Sequence, residues 1–194
     1  MANTVKNILI VGVGGQGTLL ASKLMGKAFL EQGYDIKVSE VHGMSQRGGS
    51  VVTYVRYGDK VYSSVIEKGE ADLVLSFEQL EAARWLPYLK PGGVMITSTQ
   101  QIDPMPVVMG TAQYPDGLLA AIRDKGVKLT AVDALALAME AGSTKATNVV
   151  LLGVAARALG FDKEQWTEVI RTTVPPKTVD VNLKAFALGY DAAE

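Results

Sequence analysis

Apolar residues along the chain alternate between two rhythms. Asn7 to Val11 is a short, almost unbroken apolar run closed by glycines, the pattern of a strand buried on both faces, and from Gln16 to Glu31 the apolar positions Leu20, Leu24 and Ala28 recur at helical spacing. The segment reads as strand, tight turn and helix. After Gly33 the alternation of Ile36 and Val38 predicts a second strand ending near Glu40, followed by a polar, glycine-rich stretch from His42 to Ser50 with neither period. Val51 to Arg56 and Lys60 to Ile66 are β-branched and tyrosine-rich runs flanking Tyr57-Gly-Asp-Lys60, which predicts two antiparallel strands joined by a tight turn. Ala71 to Ser76 reads as a buried strand, Glu78 to Leu89 as an amphipathic helix, Pro91-Gly92-Gly93 as a stop and Val94 to Thr97 as a further strand.

From Ser98 to Gly117 the chain holds Pro104, Pro106 and Pro115 and reads mostly as loop, with one short strand candidate at Val107 to Met109. Leu118 to Lys125 then predicts a helix, Lys128 to Val132 a strand and Ala134 to Ala141 a helix. The C-terminal part is helical throughout. Val149 to Leu159 is apolar on nearly every side, which requires burial between other elements, and Asp162 with Gln165 has the form of a capping box opening a helix around Trp166 and Ile170. Pro175-Pro176 breaks that helix, and Val179 to Leu188 forms the last. The expected fold is an α/β domain on a mixed, mostly parallel sheet with an antiparallel hairpin. Without repeats, low-complexity tracts or a linker, residues 1–194 read as one domain.

Composition narrows what such a domain does. No apolar run approaches the ~18 residues of a membrane span, and Met1 to Gly15 lacks the features of a secretion signal, so a cytoplasmic protein is expected. There is no cysteine, which excludes disulfides, a thiolate nucleophile and cysteine-held zinc or iron–sulfur centres in these residues. With 19 basic and 20 acidic residues the net charge is −1, so neither nucleic acid nor a membrane is an expected partner. A mean hydropathy of +0.17 points to apolar surface covered by another subunit.

The candidate chemistry sits in two places. Gly12-Val-Gly14-Gly15-Gln16-Gly17 follows a strand and opens a helix, where backbone N–H groups can face an anion and glycine permits its close approach. Glu40 ends the second strand, where a dinucleotide-binding fold keeps its ribose-binding acid. A strand-to-helix turn also needs glycine for packing alone, so both readings stand. The second place is the loop of His42, Ser45, Gln46, Arg47, Gly48 and Gly49: Arg47 can contact a phosphate or carboxylate bidentately, and the glycines allow close backbone approach. An ordinary connection with Arg47 solvated is the alternative. His42 is the single histidine, no GxxxxGK[ST] phosphate loop exists, and nothing suggests a metal site. Gly58-Asp59 is followed by Lys60, which departs from the Gly-Asp-Gly start of a thiamine diphosphate motif.

The glycine turn followed by Glu40-Val-His-Gly-Met-Ser-Gln-Arg-Gly-Gly-Ser50 resembles the gamma-type subunit of the 2-oxoacid:ferredoxin oxidoreductase family, and within it the indolepyruvate type. The resemblance continues in order through Gly69-Glu-Ala-Asp-Leu73, Tyr88-Leu-Lys-Pro-Gly-Gly93, Asn148-Val-Val-Leu-Leu-Gly153 and Val174-Pro-Pro-Lys-Thr178. It implies a three-layer α/β/α, Rossmann-like domain. It further implies a larger partner subunit carrying thiamine diphosphate, magnesium and iron–sulfur clusters, with coenzyme A as co-substrate and ferredoxin as acceptor. No residue is carried over as catalytic, and the isolated chain is expected to be inactive. The alternative is a stand-alone Rossmann-like nucleotide-binding protein that uses Gly12 to Gly17 and Glu40.

Overall fold

The computed structural model describes residues 4–42 and 48–192, His42 by its backbone alone. Among them, six strands form one sheet: β1 (Lys6–Val13), β2 (Asp35–His42), β3 (Ser50–Gly58), β4 (Ala71–Ser76), β5 (Leu89–Ser98) and β6 (Lys128–Val132), in the order β2-β3-β1-β4-β5-β6. β1, β4, β5 and β6 run parallel, and β3 is antiparallel to both of its neighbours. The expected mixed sheet is present.

Alternate residues of the strands feed two cores. Ile8 and Ile10 of β1, with Leu73 and Leu75 of β4, pack on one face beneath α1 (Thr18–Glu31), α5 (Ala134–Ala141), α6 (Thr147–Ala158), α7 (Lys163–Thr173) and α8 (Val179–Asp191). Leu9, Val11 and Val74 point the other way, against α2 (Gln79–Trp85) and α4 (Leu118–Asp124). This period-two division gives three layers. The all-round apolar pattern of α6 has a simple cause: its residues 148–156 are all buried, with β5 beneath and α8 above. A Cβ on Gly189 would lie 1.9 Å from the Val150 carbonyl oxygen, so α8 rests backbone to backbone on α6. Each large side chain buried here, Trp166 and Phe186 among them, contributes about 1.5–3 kcal/mol. Phe29 stacks on Tyr57 with ring centroids 4.0 Å apart; burial, and secondarily Tyr34, push the Tyr57 hydroxyl up to about 12.

Several local expectations are corrected. The antiparallel hairpin joins β2 to β3, with Ile36 opposite Tyr57 and His42 opposite Val51, rather than joining 51–56 to 60–66. β3 has β2 on one edge and β1 on the other, so no edge remains for Lys60 to Ile66 to pair with. That segment runs outside the ladder, held by Arg56 Nη1 donating to the carbonyls of Ser63 and Val65 at 3.0 and 2.9 Å, and by the Val61 amide donating to Asp35. That amide and, less strongly, Lys60 and Lys37 lower the Asp35 carboxyl to about 2. The helix expected to Leu89 is shorter: a 3-10 turn at Leu86–Tyr88 follows α2, and β5 begins at Leu89, the Pro91-Gly-Gly93 stretch lying within it beside a register shift. The strand candidate at Val107 to Met109 is one helical turn, α3 (Met105–Val108), because Pro104 and Pro106 supply the fixed φ of a helix start. Asp162 stands at the N-cap of α7, but its side chain makes no capping hydrogen bond.

Candidate functional site

Helices α1 and α2 follow the adjacent strands β1 and β4 onto opposite faces of the sheet, so the strand order switches direction between them. In open α/β sheets that point, beyond the carboxyl ends of the strands, is where ligands gather. The glycine turn stands there. Gly17 caps α1 in the left-handed conformation at φ 84°, with no side-chain cap.

The turn is largely satisfied from within. The Gln16 side chain folds back over it, its Oε1 accepting from the Val13 amide at 2.8 Å and its Nε2 donating to the Phe77 carbonyl at 2.9 Å and to Gln100 Oε1 at 3.3 Å. Gln16 thereby ties β1, β4 and the segment after β5 together across the switch point. A Cβ on Gly12 would lie 2.9 Å from Gln16 Oε1 and 3.1 Å from Phe77 Cβ, so Gly12 makes room for the protein's own glutamine. The Gly14 amide donates to the Gly49 carbonyl at 2.9 Å and the Gln16 amide to the Val13 carbonyl at 3.1 Å. Three amides that a phosphate cradle would use are therefore already engaged.

Of the residues singled out in the sequence, Gly12, Gly14, Gly15, Gln16 and Gly17 come together with Gly48 and Gly49, the returning end of the polar loop. Glu40 does not join them. In the sheet it lies level with Thr53, and Thr53 with Ile10, so it sits two strands from β1 (about 10 Å) and two residues short of the turn's first glycine, Gly12. Its carboxylate accepts from the Ser22 hydroxyl at 3.0 Å. Ser45, Gln46 and Arg47 lie outside the described residues, as does the side chain of His42.

Two cavities flank the Gln16 bridge. One, of about 480 Å³, is lined by Gly15, Gly17, Phe77, Gln100, Leu135 and Lys145. The other, of about 270 Å³, lies under Gly48–Ser50 and reaches Glu78, Glu81 and Arg84. Its floor is a network that the sequence did not signal. Buried Glu78 caps α2 by accepting from the Glu81 amide at 2.8 Å, while its other oxygen accepts from the Ile102 amide at 3.3 Å and from the Tyr114 hydroxyl. Burial first, then Glu78, raises the Tyr114 pKa above the ordinary tyrosine value. Buried Glu81 accepts from the hydroxyl of Ser50, from Arg84 Nε at 3.1 Å and from Trp85 Nε1 at 3.3 Å. The loop's end at Ser50 is thus pinned to α2. Asn148, on the opposite side, was legible only as a polar residue opening an apolar helix; its Nδ2 donates to the Gly17 carbonyl at 3.1 Å. Among the described residues no three His, Asp or Glu side chains are grouped to hold a metal, and no helix is long and apolar enough to cross a membrane.

Comparison with known proteins gives a consistent picture. The family model described as pyruvate ferredoxin/flavodoxin oxidoreductase matches residues 7–192. Indolepyruvate oxidoreductase subunit IorB of Thermococcus kodakarensis is 52% identical over 193 residues, covering 97% of this chain and 96% of the relative. Among solved structures, the gamma subunit of a keto/oxoacid ferredoxin oxidoreductase from Geobacter sulfurreducens superposes with a TM-score of 0.73 at 26% identity, over 97% of this chain and 98% of that one. The 2-oxoglutarate:ferredoxin oxidoreductase of Magnetococcus marinus shares the fold with a TM-score of 0.75 at 20% identity, over 97% of this chain but 31% of that one.

Proposed function

The chain belongs to the pyruvate ferredoxin/flavodoxin oxidoreductase family, and from that membership we propose that it is the small subunit of an indolepyruvate-type 2-oxoacid:ferredoxin oxidoreductase. The observation that carries the proposal is the end-to-end likeness to a chain that bears the name of such a subunit. On this reading a larger subunit holds thiamine diphosphate, magnesium and iron–sulfur clusters. The complex, working in the cytoplasm, converts an aryl pyruvate, coenzyme A and oxidised ferredoxin into acyl-CoA, CO2 and reduced ferredoxin. The absence of cysteine from all 194 residues agrees with clusters lying on the partner, since their usual ligands are thiolates.

The contribution of this chain is a positioned surface. On this proposal the loop of His42, Ser45, Gln46, Arg47, Gly48 and Gly49 meets the partner near its cofactor, and an arginine such as Arg47 has the donors to contact an anionic oxygen. Two anchors support this role: Gly49 is bonded to Gly14 of the glycine turn, and Ser50 to Glu81 of α2. Both hold the loop's returning end at the carboxyl edge of the sheet. The glycine turn itself, with Gln16 folded over it, braces that edge.

Purification of the chain from its native cell tests the proposal. Co-elution with a larger polypeptide, at constant ratio and with thiamine diphosphate and iron in the shared peak, is the expected result. A chain that elutes alone with a bound nucleotide would favour the stand-alone alternative.

A further inference from the structure

Two buried acids of the first turn of α2 each hold a different loop at the carboxyl edge of the sheet. Glu78 accepts from the Ile102 amide at 3.3 Å and from the Tyr114 hydroxyl, which ties down the segment after β5. Glu81 accepts from the Ser50 hydroxyl, which ties down the end of the connection between β2 and β3. The two acids stand three residues apart, roughly 4.5 Å along a helix axis. One turn of helix therefore sets the spacing of the two loops. Both line the cavity of about 270 Å³, through Gly48–Ser50 of one and Ile102, Pro104 and Met105 of the other.

We infer that Glu81 is a positioning residue for the reaction of the complex, acting through Ser50 to set where Gly48–Ser50 stands against the larger subunit. The inference rests on the subunit reading above. Neither element that Glu81 joins needs its carboxylate in order to form. α2 is already capped by Glu78, and β3 is paired along both sides, Ser50 with Val13 of β1 and Val51 with both Gly12 and His42. Ser50 is an exposed residue, so water would satisfy its hydroxyl. Instead it bonds Glu81, which is 4% exposed. A carboxylate held out of water is costly unless other donors replace the water, and Arg84 Nε at 3.1 Å and Trp85 Nε1 at 3.3 Å do so here. Trp85 Nε1 also donates to Ser50 Oγ at 3.4 Å, so two residues of α2 grip the serine. Its neighbour Gly49 accepts from the Gly14 amide at 2.9 Å. Strand pairing fixes the backbone from Ser50 onward, and the grip of Glu81 and Trp85 fixes the direction in which the chain arrives there.

The test uses the chain co-produced with its cognate larger subunit and measures ferredoxin reduction well below the Tm of every variant. Ser50→Ala and Glu81→Gln are each expected to lower kcat roughly tenfold, with KM for the aryl pyruvate and the dissociation constant of the complex within about twofold of wild type. The double variant is expected to fall no further than either single one, because both cut the same link. Ser50→Thr, which keeps the hydroxyl, is expected to restore most of the turnover. A merely structural link would lower Tm and leave the kcat of the assembled complex at the wild-type value, and that result overturns the inference. Weakened assembly with unchanged kcat, additive losses in the double variant, or a loss that threonine does not restore overturns it as well. If Glu81→Gln does not fold, Ser50→Ala against Ser50→Thr decides. All of these leave the subunit reading intact, whereas a wild-type mixture without turnover overturns that reading itself.

Discussion

Asn148 and Gly17 are fitted to each other: the Asn148 amide donates to the Gly17 carbonyl at 3.1 Å, and a Cβ on Gly17 would lie 2.6 Å from that same nitrogen. The residue that caps α1 is therefore braced by α6, a helix far along the chain. Gly17 also sits at φ 84°, which L side chains rarely adopt. Gly17→Ala is expected to cost about 2–4 kcal/mol from backbone strain and displacement of Asn148. In a chain of this size that lowers Tm by roughly 5–15 °C, measurable by calorimetry. An unchanged Tm would show that the turn is not packed against α6.

The Gln16 bridge makes the isolated chain a poor nucleotide binder, because the amides of Val13, Gly14 and Gln16 are already engaged and Glu40 stands apart from the turn. Calorimetric titration with NADH or ADP is expected to show no saturable binding below about 1 mM. Micromolar binding would restore the stand-alone alternative.

How much of this was legible in sequence depends on what each residue answers to. β1, the turn and α1 were readable because local period and glycine placement decide them, and the buried character of α6 was readable from its apolar run. The partner of β3 was not. Val61 and Ile66 are apolar because they are buried beside the sheet, not because they pair in it, and composition cannot separate those causes. The glycine turn was found by its motif, yet what fills it is Gln16, a residue inside the motif. Glu78, Glu81 and Tyr114 act through contacts across the fold, and no spacing in the sequence brings Tyr114 to Glu78.

Tyr57 and Tyr114 carry a pH dependence. Both have pKa values raised in the folded state, Tyr57 to about 12 by burial and then by Tyr34, and Tyr114 by burial and then by Glu78. The stability they contribute is fully present below the ordinary tyrosine value near 10 and is lost as pH rises through the folded values. Tyr54 is raised as well, by burial and then by Tyr88, so absorbance at ~295 nm should show these three tyrosines ionising above the ordinary tyrosine range or with alkaline unfolding. Tyr114→Phe removes a donor from buried Glu78 and is expected to cost about 1.5–3 kcal/mol at neutral pH. Seven tyrosines ionising together near pH 10 in a still-folded chain would contradict this assignment.

Arg47 separates a working loop from a mere connection. Arg47→Ala should leave the free chain as stable as wild type to within ~0.5 kcal/mol, and in the complex should lower turnover or weaken assembly roughly ten- to a hundredfold, the effect of losing one charge-assisted hydrogen bond. Full activity with normal assembly would leave the loop a connection, and a large loss of stability in the free chain would make Arg47 structural.

The most direct measurement is reduction of ferredoxin by an aryl pyruvate and coenzyme A, assayed with this chain alone, with the larger subunit alone and with both. Turnover at full rate only in the mixture, from a colourless small chain, is the predicted result. Ferredoxin reduction by this chain alone, or full activity of the larger subunit without it, would contradict the account.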